Sequence, residues 1–170
     1  FWSFNDYQRG DPNYGTGGQK KVSVMLDFKN SKDHSLGIPL PKGRLRVYKK
    51  DDDGSLEFIG EDSIDHTPKN ETVRIKMGDA FDLMGERRRM DYQSDAKGRK
   101  FEETFEIKLR NHKDAAVAVT VVEHLYRWTN WKIVGSSHKW VKKDAQTIEF
   151  EVPVAKDGET AVTYTVKYSW

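Results

Sequence analysis

Alternation of apolar and polar residues with a period of two is the feature that most constrains the fold of this chain. Val22, Val24, Leu26 and Phe28 lie on one side of an extended segment, and mostly polar residues lie on the other. This period is typical of a β-strand that buries one face. Comparable strand patterns occur at residues 44–50, 55–61, 73–77, 105–109, 117–128, 132–136, 147–152 and 160–168.

Composition and turn spacing predict the same fold class. Val, Ile, Thr and the aromatic residues outnumber Ala, Leu and Met by more than two to one, and the first group favours strands. Roughly nine short strands with a turn every 8–12 residues or so indicate an antiparallel sandwich. We therefore expect an all-β, immunoglobulin-like β-sandwich, formed either as one unit or as two fused β units.

The clearest local prediction is a hairpin around a turn at residues 51–54 (Asp-Asp-Asp-Gly). A four-residue loop places Val47 opposite Phe58 and Arg44 opposite Glu61. Gly78 is predicted to end the strand that contains residues 73–77. The strand that begins at Val117 is apolar on both faces, which predicts a central, covered position.

The chain divides into three parts by composition. Residues 1–18 form an irregular arm rich in aromatic residues and glycine, 19–92 a first β unit, and 100–170 a second, immunoglobulin-like unit. A faint repeat supports two units, because Asn-x-Lys-Asp follows a strand at 30–33 and again at 111–114. The segment 68–72 similarly resembles 155–160. The other explanation of these repeated motifs is that β-sandwich hairpins use similar turn sequences even where no repeated unit exists.

Charge and hydropathy exclude several classes of protein. Lys and Arg number 29 and Asp and Glu 27, so the net charge of +2 does not predict a nucleic-acid binder. No apolar run is long enough to insert into a membrane. Cysteine is absent, which excludes disulfides and thiolate sites. The chain does not begin with Met, and we expect it to be a piece of a longer protein.

Several runs of residues resemble one bacterial family. They are LPKGRLRVY (40–48), DGSL (53–56), GEDSIDHTP (60–68), GDAFD (78–82), GER (85–87), EHL (123–125), Trp131, KDA (143–145), Phe150 and YTVKY (164–168). In order and spacing these resemble the domain-of-unknown-function family 4139, the C-terminal part of mucoidy inhibitor A-like proteins, over about residues 20–170. The resemblance implies a β-rich domain, often in exported bacterial proteins, and it implies no catalytic residues.

These observations lead us to expect a non-enzymatic structural or interaction module of an exported bacterial protein. Its location would be extracytoplasmic, in the periplasm, at the cell surface or secreted. Expected partners are further copies of the chain or another exported protein, and no cofactor is expected.

Aromatic residues late in the chain suggest a first alternative. His124, Tyr126 and Trp128 alternate, which would place them on one strand face, with Trp131 close by. Exposed aromatic rings bind sugars or peptides, whereas buried rings form sandwich cores. The alternative function is therefore a carbohydrate- or peptide-binding module that uses Tyr126, Trp128 and Trp131.

Acidic residues suggest a second alternative. Glu61, Asp62, Asp65 and His66 are the densest group of possible metal ligands, and a metal-assisted hydrolase would use Asp62, Asp65 and His66. A structural turn in which Arg44 pairs with Glu61 explains the same residues. The Asp-rich turn lacks the first and last acids of a calcium loop, so no metal site is predicted there.

Arginine and arm residues complete the candidates. A basic run is interpreted as a solvated face; it comprises Arg87, Arg88 and Arg89, with Lys97, Arg99 and Lys100 nearby.

In the arm, Phe1, Trp2 and Phe4 are predicted to mediate assembly by filling pockets on a neighbouring copy. The arm could also fold back on its own chain.

Overall fold

The computed structural model describes residues 11–13, 15, 20–95, 97 and 99–170. The described residues form ten β-strands and one three-residue 3-10 turn, Lys32–His34, so they contain no helix that could cross a membrane. The strands are β1 (Lys21–Lys29), β2 (Gly43–Lys50), β3 (Leu56–Ile64), β4 (Thr72–Ser94), β5 (Lys100–Asn111), β6 (Val117–His124), β7 (Trp131–Ser136), β8 (Trp140–Lys142), β9 (Thr147–Val154) and β10 (Glu159–Ser169).

The chain comprises two compact units. One is Val22–Ala80, and the other contains Phe81–Trp170 together with the described residues up to Lys21. The long strand β4 belongs to both units, because it runs without interruption from Thr72 to Ser94. The two units divide between Ala80 and Phe81, inside β4, whereas the boundary predicted between 92 and 100 lies at the turn that joins β4 to β5.

The unit 22–80 is built from two pairs of strands. Strand β1 lies beside β4, and β2 forms an antiparallel hairpin with β3. Ile64, Val73 and Ile75 are buried between them. The apolar side chains packed against these three are Leu26, Phe28, Leu40, Leu45 and Val47. The core is small, and it uses the inward face of every strand of the unit.

The unit 81–170 is a sandwich of two sheets. One sheet has the order β4-β5-β10-β7 and the other the order β6-β9-β8. The β5–β10, β4–β5, β10–β7, β6–β9 and β8–β9 pairs are all antiparallel. Phe150 of one sheet contacts Tyr164 of the other, with ring centroids 5.6 Å apart. The all-β, antiparallel, sandwich-like prediction is confirmed, and its immunoglobulin-like detail stays a prediction.

Two predictions about strands are wrong. Gly78 does not end its strand: β4 continues through it with a φ of 155° at Gly78, a conformation that glycine adopts readily and other residues rarely adopt. Strand β6 lies at the edge of its sheet rather than at its centre. Its outward side chains Val122 and His124 are exposed, while Val119 and Val121 are buried.

The hairpin between β2 and β3 exists, but its register differs from the prediction. Ser55 belongs to the turn, because its amide donates to the Asp53 carboxylate and its carbonyl accepts from the Asp51 amide. Lys50 therefore pairs with Leu56, and a bulge then places Val47 opposite Gly60 and not Phe58. Arg44 lies opposite Ser63, yet its side chain still reaches Glu61 at 3.0 Å.

The two Asn-x-Lys-Asp motifs occupy similar positions in the two units. Asn30 and Asn111 are buried at strand ends. The Asn30 amide group donates to the carbonyls of Ile38 and Pro68, and that of Asn111 to those of Ala115 and Ala155. In both units the second carbonyl belongs to the other repeated segment, 68–72 or 155–160. Each asparagine thus joins two loops at a corner.

Candidate functional site

The alternation of β4 and β5 places charged residues inside the sandwich of the unit 81–170. On β4, Arg87 and Arg89 point inward, while Arg88 points outward and pairs with Glu106 at 3.1 Å. On β5, Glu103 is inward and fully buried. The cluster is completed from the other sheet by Glu123 at the end of β6 and by Arg127 just beyond it.

Glu103 is the centre of the first half of this cluster. One of its carboxylate oxygens lies 2.8 Å from Nε of Arg127, and the other lies 2.9 Å from Nη2 of the same guanidinium. Arg89 Nη1 lies 3.3 Å from the carboxylate, and the Tyr126 hydroxyl donates to it over 3.3 Å. Two cations and a phenol therefore neutralise and orient a single buried carboxylate.

Glu123 is the centre of the second half. Arg87 Nε lies 2.9 Å from its carboxylate, and the Tyr164 hydroxyl donates to it over 2.5 Å. The Arg87 guanidinium also lies over the Phe105 ring, 3.8 Å from the centroid. The guanidinium is held by an ion pair on one side and by a cation–π contact on the other.

Burial changes the acidity of the phenols around the cluster. Burial raises the pKa of Tyr126 and Tyr164 above the usual value, and the adjacent carboxylates Glu103 and Glu123 raise them further. The pKa of Tyr168 is raised for the same reasons, by burial first and by Glu103 second. Tyr126 and Tyr164 stay protonated at neutral pH and donate hydrogen bonds to Glu103 and Glu123.

Part of the N-terminal arm is bound to this cluster through its main chain. Arg127 donates to the Asp11 carbonyl oxygen over 3.2 Å, and Arg87 donates to that of Gly15 over 2.6 Å. Arg89 donates to the Pro12 carbonyl oxygen. We call the site formed by Arg87, Arg89, Arg127 and the adjacent Tyr126 the arginine cleft. Its arginines bind main-chain carbonyl oxygens, which a polypeptide segment of any sequence contains.

Gly15 is a described residue of the segment whose identity the cleft restricts. Its φ of 73° lies in the left-handed region, which side chains rarely adopt. A Cβ atom at this position would lie 2.0 Å from the Tyr126 ring. Close contact between the backbone and Tyr126 therefore requires glycine.

The ligand-binding role predicted for Tyr126, Trp128 and Trp131 stays a prediction. Strand β6 ends at His124, but burial still alternates beyond it: Leu125 and Arg127 are buried, and Tyr126 and Trp128 are partly exposed. Tyr126 lies beside the Arg127 guanidinium, and Trp128 packs on Trp170 at 5.7 Å between centroids. Trp131 contacts Trp140 at 6.2 Å and donates its indole N–H to the Ala145 carbonyl.

The predicted acidic cluster forms structural contacts. Glu61 binds both Arg44 and Arg46, as the turn interpretation required for Arg44. Asp62 accepts the amides of Ser63 and Lys76, Asp65 accepts the His66 amide, and His66 accepts the Lys42 amide. His66 lines an apolar cleft of about 390 Å³ with Pro39, Leu40, Pro41, Thr67 and Pro68. Within the described part of the chain, no three His, Cys, Asp or Glu residues could hold one metal ion.

The interpretation of residues 87–89 as a solvated basic face is wrong for two of the three. Arg87 and Arg89 are largely buried and paired, because β4 alternates and buries every second side chain. Glu103 and Glu123 were also not identified, although Phe101 and Phe105 flank Glu103 at the same inward spacing. Arg127 lies inward at the same period, since Val119, Val121, Glu123, Leu125 and Arg127 are all buried. Phe1, Trp2 and Phe4 lie outside the described residues.

Comparison with known proteins gives no match: no family model, curated protein or solved structure is similar to this chain. The resemblance to family 4139 therefore stays a prediction.

Proposed function

We propose that this chain is a non-enzymatic structural and interaction module whose unit 81–170 binds a short polypeptide segment in the arginine cleft. One observation supports this most: three side chains that pair with buried carboxylates each donate to a main-chain carbonyl of one short segment. Recognition of several main-chain carbonyls of one segment is recognition of polypeptide, and it requires no reaction.

The charges of the cleft support a neutral ligand. Three arginines and two glutamates leave one excess positive charge, which backbone carbonyl dipoles can solvate. The ion pairs also fix the guanidinium groups in place before the segment binds, so little side-chain entropy is lost on binding. A fixed set of donors is suited to a rigid anchor point within a larger protein.

The remaining parts of the proposal have separate support. The exported, bacterial setting and the extracytoplasmic location depend on the resemblance to family 4139. Within the first alternative, a carbohydrate- or peptide-binding module, peptide binding is favoured over sugar binding, because the arginine cleft contacts a peptide segment. Trp128 and Trp131 pack on two different tryptophans, Trp170 and Trp140. A metal-assisted hydrolase is less supported, because the carboxylates of Asp62 and Asp65 accept backbone amides.

Limited digestion of the full chain by a non-specific protease tests this proposal. We expect Arg89→Ala to increase cleavage within residues 1–20 several-fold, because the segment loses one of its donors. Arg88→Ala is the matched control, since Arg88 points outward and pairs only with Glu106. Equal cleavage of the arm in both variants, with both folded by circular dichroism, would contradict the proposal.

A further inference from the structure

The outer face of the β2–β3 hairpin is an apolar surface without a partner in the described structure. The inner face of the hairpin packs Leu45, Val47 and Ile64 into the core of the unit. The outer face presents Tyr48, Phe58 and Leu56, which are 48%, 53% and 66% exposed. Tyr48 and Phe58 contact each other edge to face at 5.6 Å. Contiguous exposed apolar residues of this kind mark interaction sites.

Charges of opposite sign lie at the two ends of this apolar surface. At one end Arg44 and Arg46 both pair with Glu61, at 3.0 and 3.1 Å, which leaves this end positive. At the other end the turn contains Asp51, Asp52 and Asp53, all exposed. Hydrogen bonds from the Ser55 side chain and then from the Ser55 amide lower the pKa of the Asp53 carboxyl, which is ionised at neutral pH. Lys50, opposite Leu56 on the same face, offsets one of these three acidic charges, so the turn end keeps a net charge of about −2 and the face runs from basic through apolar to acidic.

We propose that this face binds the same face of a second copy of the chain, related by a two-fold axis through the Tyr48 and Phe58 contact. At about 3.4 Å per residue, Arg44 and Arg46 lie about 7–14 Å before Tyr48, and the acidic turn begins about 10 Å beyond it, at Asp51, where the chain reverses. A two-fold rotation places each acidic turn on the basic end of the other copy. Such an isologous contact is self-complementary and closes as a dimer.

The size of the face sets the strength of the dimer. Eight residues of strand span about 27 Å and two strands are about 10 Å wide, which is less than the about 800 Å² per partner of a standard interface. We therefore expect a weak dimer whose population depends on concentration and which dissociates at high salt. This contact goes beyond the proposed function, because it uses no residue of the arginine cleft.

Sedimentation of the full chain over about 10 µM to about 1 mM tests the proposal. The sedimentation coefficient is expected to rise with concentration, and Phe58→Ser is expected to weaken association at least about tenfold. Val141→Ser is the matched control, since Val141 is an equally exposed apolar residue outside the hairpin. A chain that stays monomeric throughout, or equal association in both variants, overturns the proposal.

A charge exchange tests the two-fold arrangement itself. Arg44→Glu with Arg46→Glu makes both ends of the face acidic, and Asp51→Lys with Asp52→Lys makes both ends basic; Asp53 is kept because it forms the turn. Each double variant alone should be monomeric, whereas an equal mixture should form a heterodimer. A mixture that associates no more than its components overturns the proposal. Arm cleavage should stay unchanged in every variant, which separates this result from the test of the arginine cleft.

Discussion

Glu103 is the residue on which the interior of the unit 81–170 depends most. It is fully buried, it pairs with Arg127, whose side chain is also fully buried, and Arg89 shares it. A buried ion pair of this kind adds little stability compared with apolar residues of the same volume. Loss of one partner is nevertheless costly, because the remaining charge is buried without a counter-ion. The same carboxylate orients the arginines that hold the arm.

Glu103→Gln is expected to reduce the free energy of unfolding by about 3–5 kcal/mol, because Arg127 stays buried and positively charged. Glu106→Gln should cost less than about 1 kcal/mol, since its Arg88 partner is exposed. Urea unfolding followed by tryptophan fluorescence measures both. Similar losses in the two variants would show that the buried pair has no special role.

At the scale of single elements, the two buried asparagines organise the loops at strand ends. Asn111 donates to the carbonyls of Ala115 and Ala155 over 2.8 and 2.9 Å, and it accepts the Lys113 amide over 2.9 Å. Asn30 forms the equivalent set of bonds and accepts the Gly37 amide. One side chain in each unit therefore satisfies backbone groups of two loops that have no strand partner.

Asn111→Ala should lower the free energy of unfolding by about 2–4 kcal/mol, since it leaves buried backbone groups without partners. Asn130→Ala, which removes one exposed bond to Ser169, should stay within about 0.5 kcal/mol. Thermal unfolding by circular dichroism compares the two variants. A tolerated Asn111→Ala would mean that water replaces the side chain at this corner.

The sequence predicts strands and fold class well because strand alternation is a local signal. It predicts register poorly, because the role of Ser55 in the turn and the bulge at Gly60 depend on side-chain bonds and on the nearby Met77 backbone. The edge position of β6 is likewise decided by tertiary pairing. Glu103 and Arg127 both lie at inward positions of the alternation, but a local pattern does not show that the two charges pair with each other across the sandwich.

At the scale of the whole molecule, the described part of the arm lies on its own chain. The Lys20 carbonyl accepts the Gly85 amide, and the Gly15 carbonyl accepts from Arg87, two residues further along β4. Five residues span at most about 18 Å, which is ample for this separation. The described segment can therefore contact the arginine cleft of its own chain without a second copy. This holds whether or not the β2–β3 hairpin faces form a dimer.

Paramagnetic broadening tests this central claim most directly. The chain has no cysteine, so Asn13→Cys gives a single site for a spin label, and the Nε–H signals of Arg89 and Arg127 report on the cleft. The account predicts that the label broadens these signals when label and isotope are on the same chain. It predicts no broadening in a dilute mixture of spin-labelled and isotope-labelled chains. Unbroadened signals in the first sample, or broadening only in the mixture, would contradict the account.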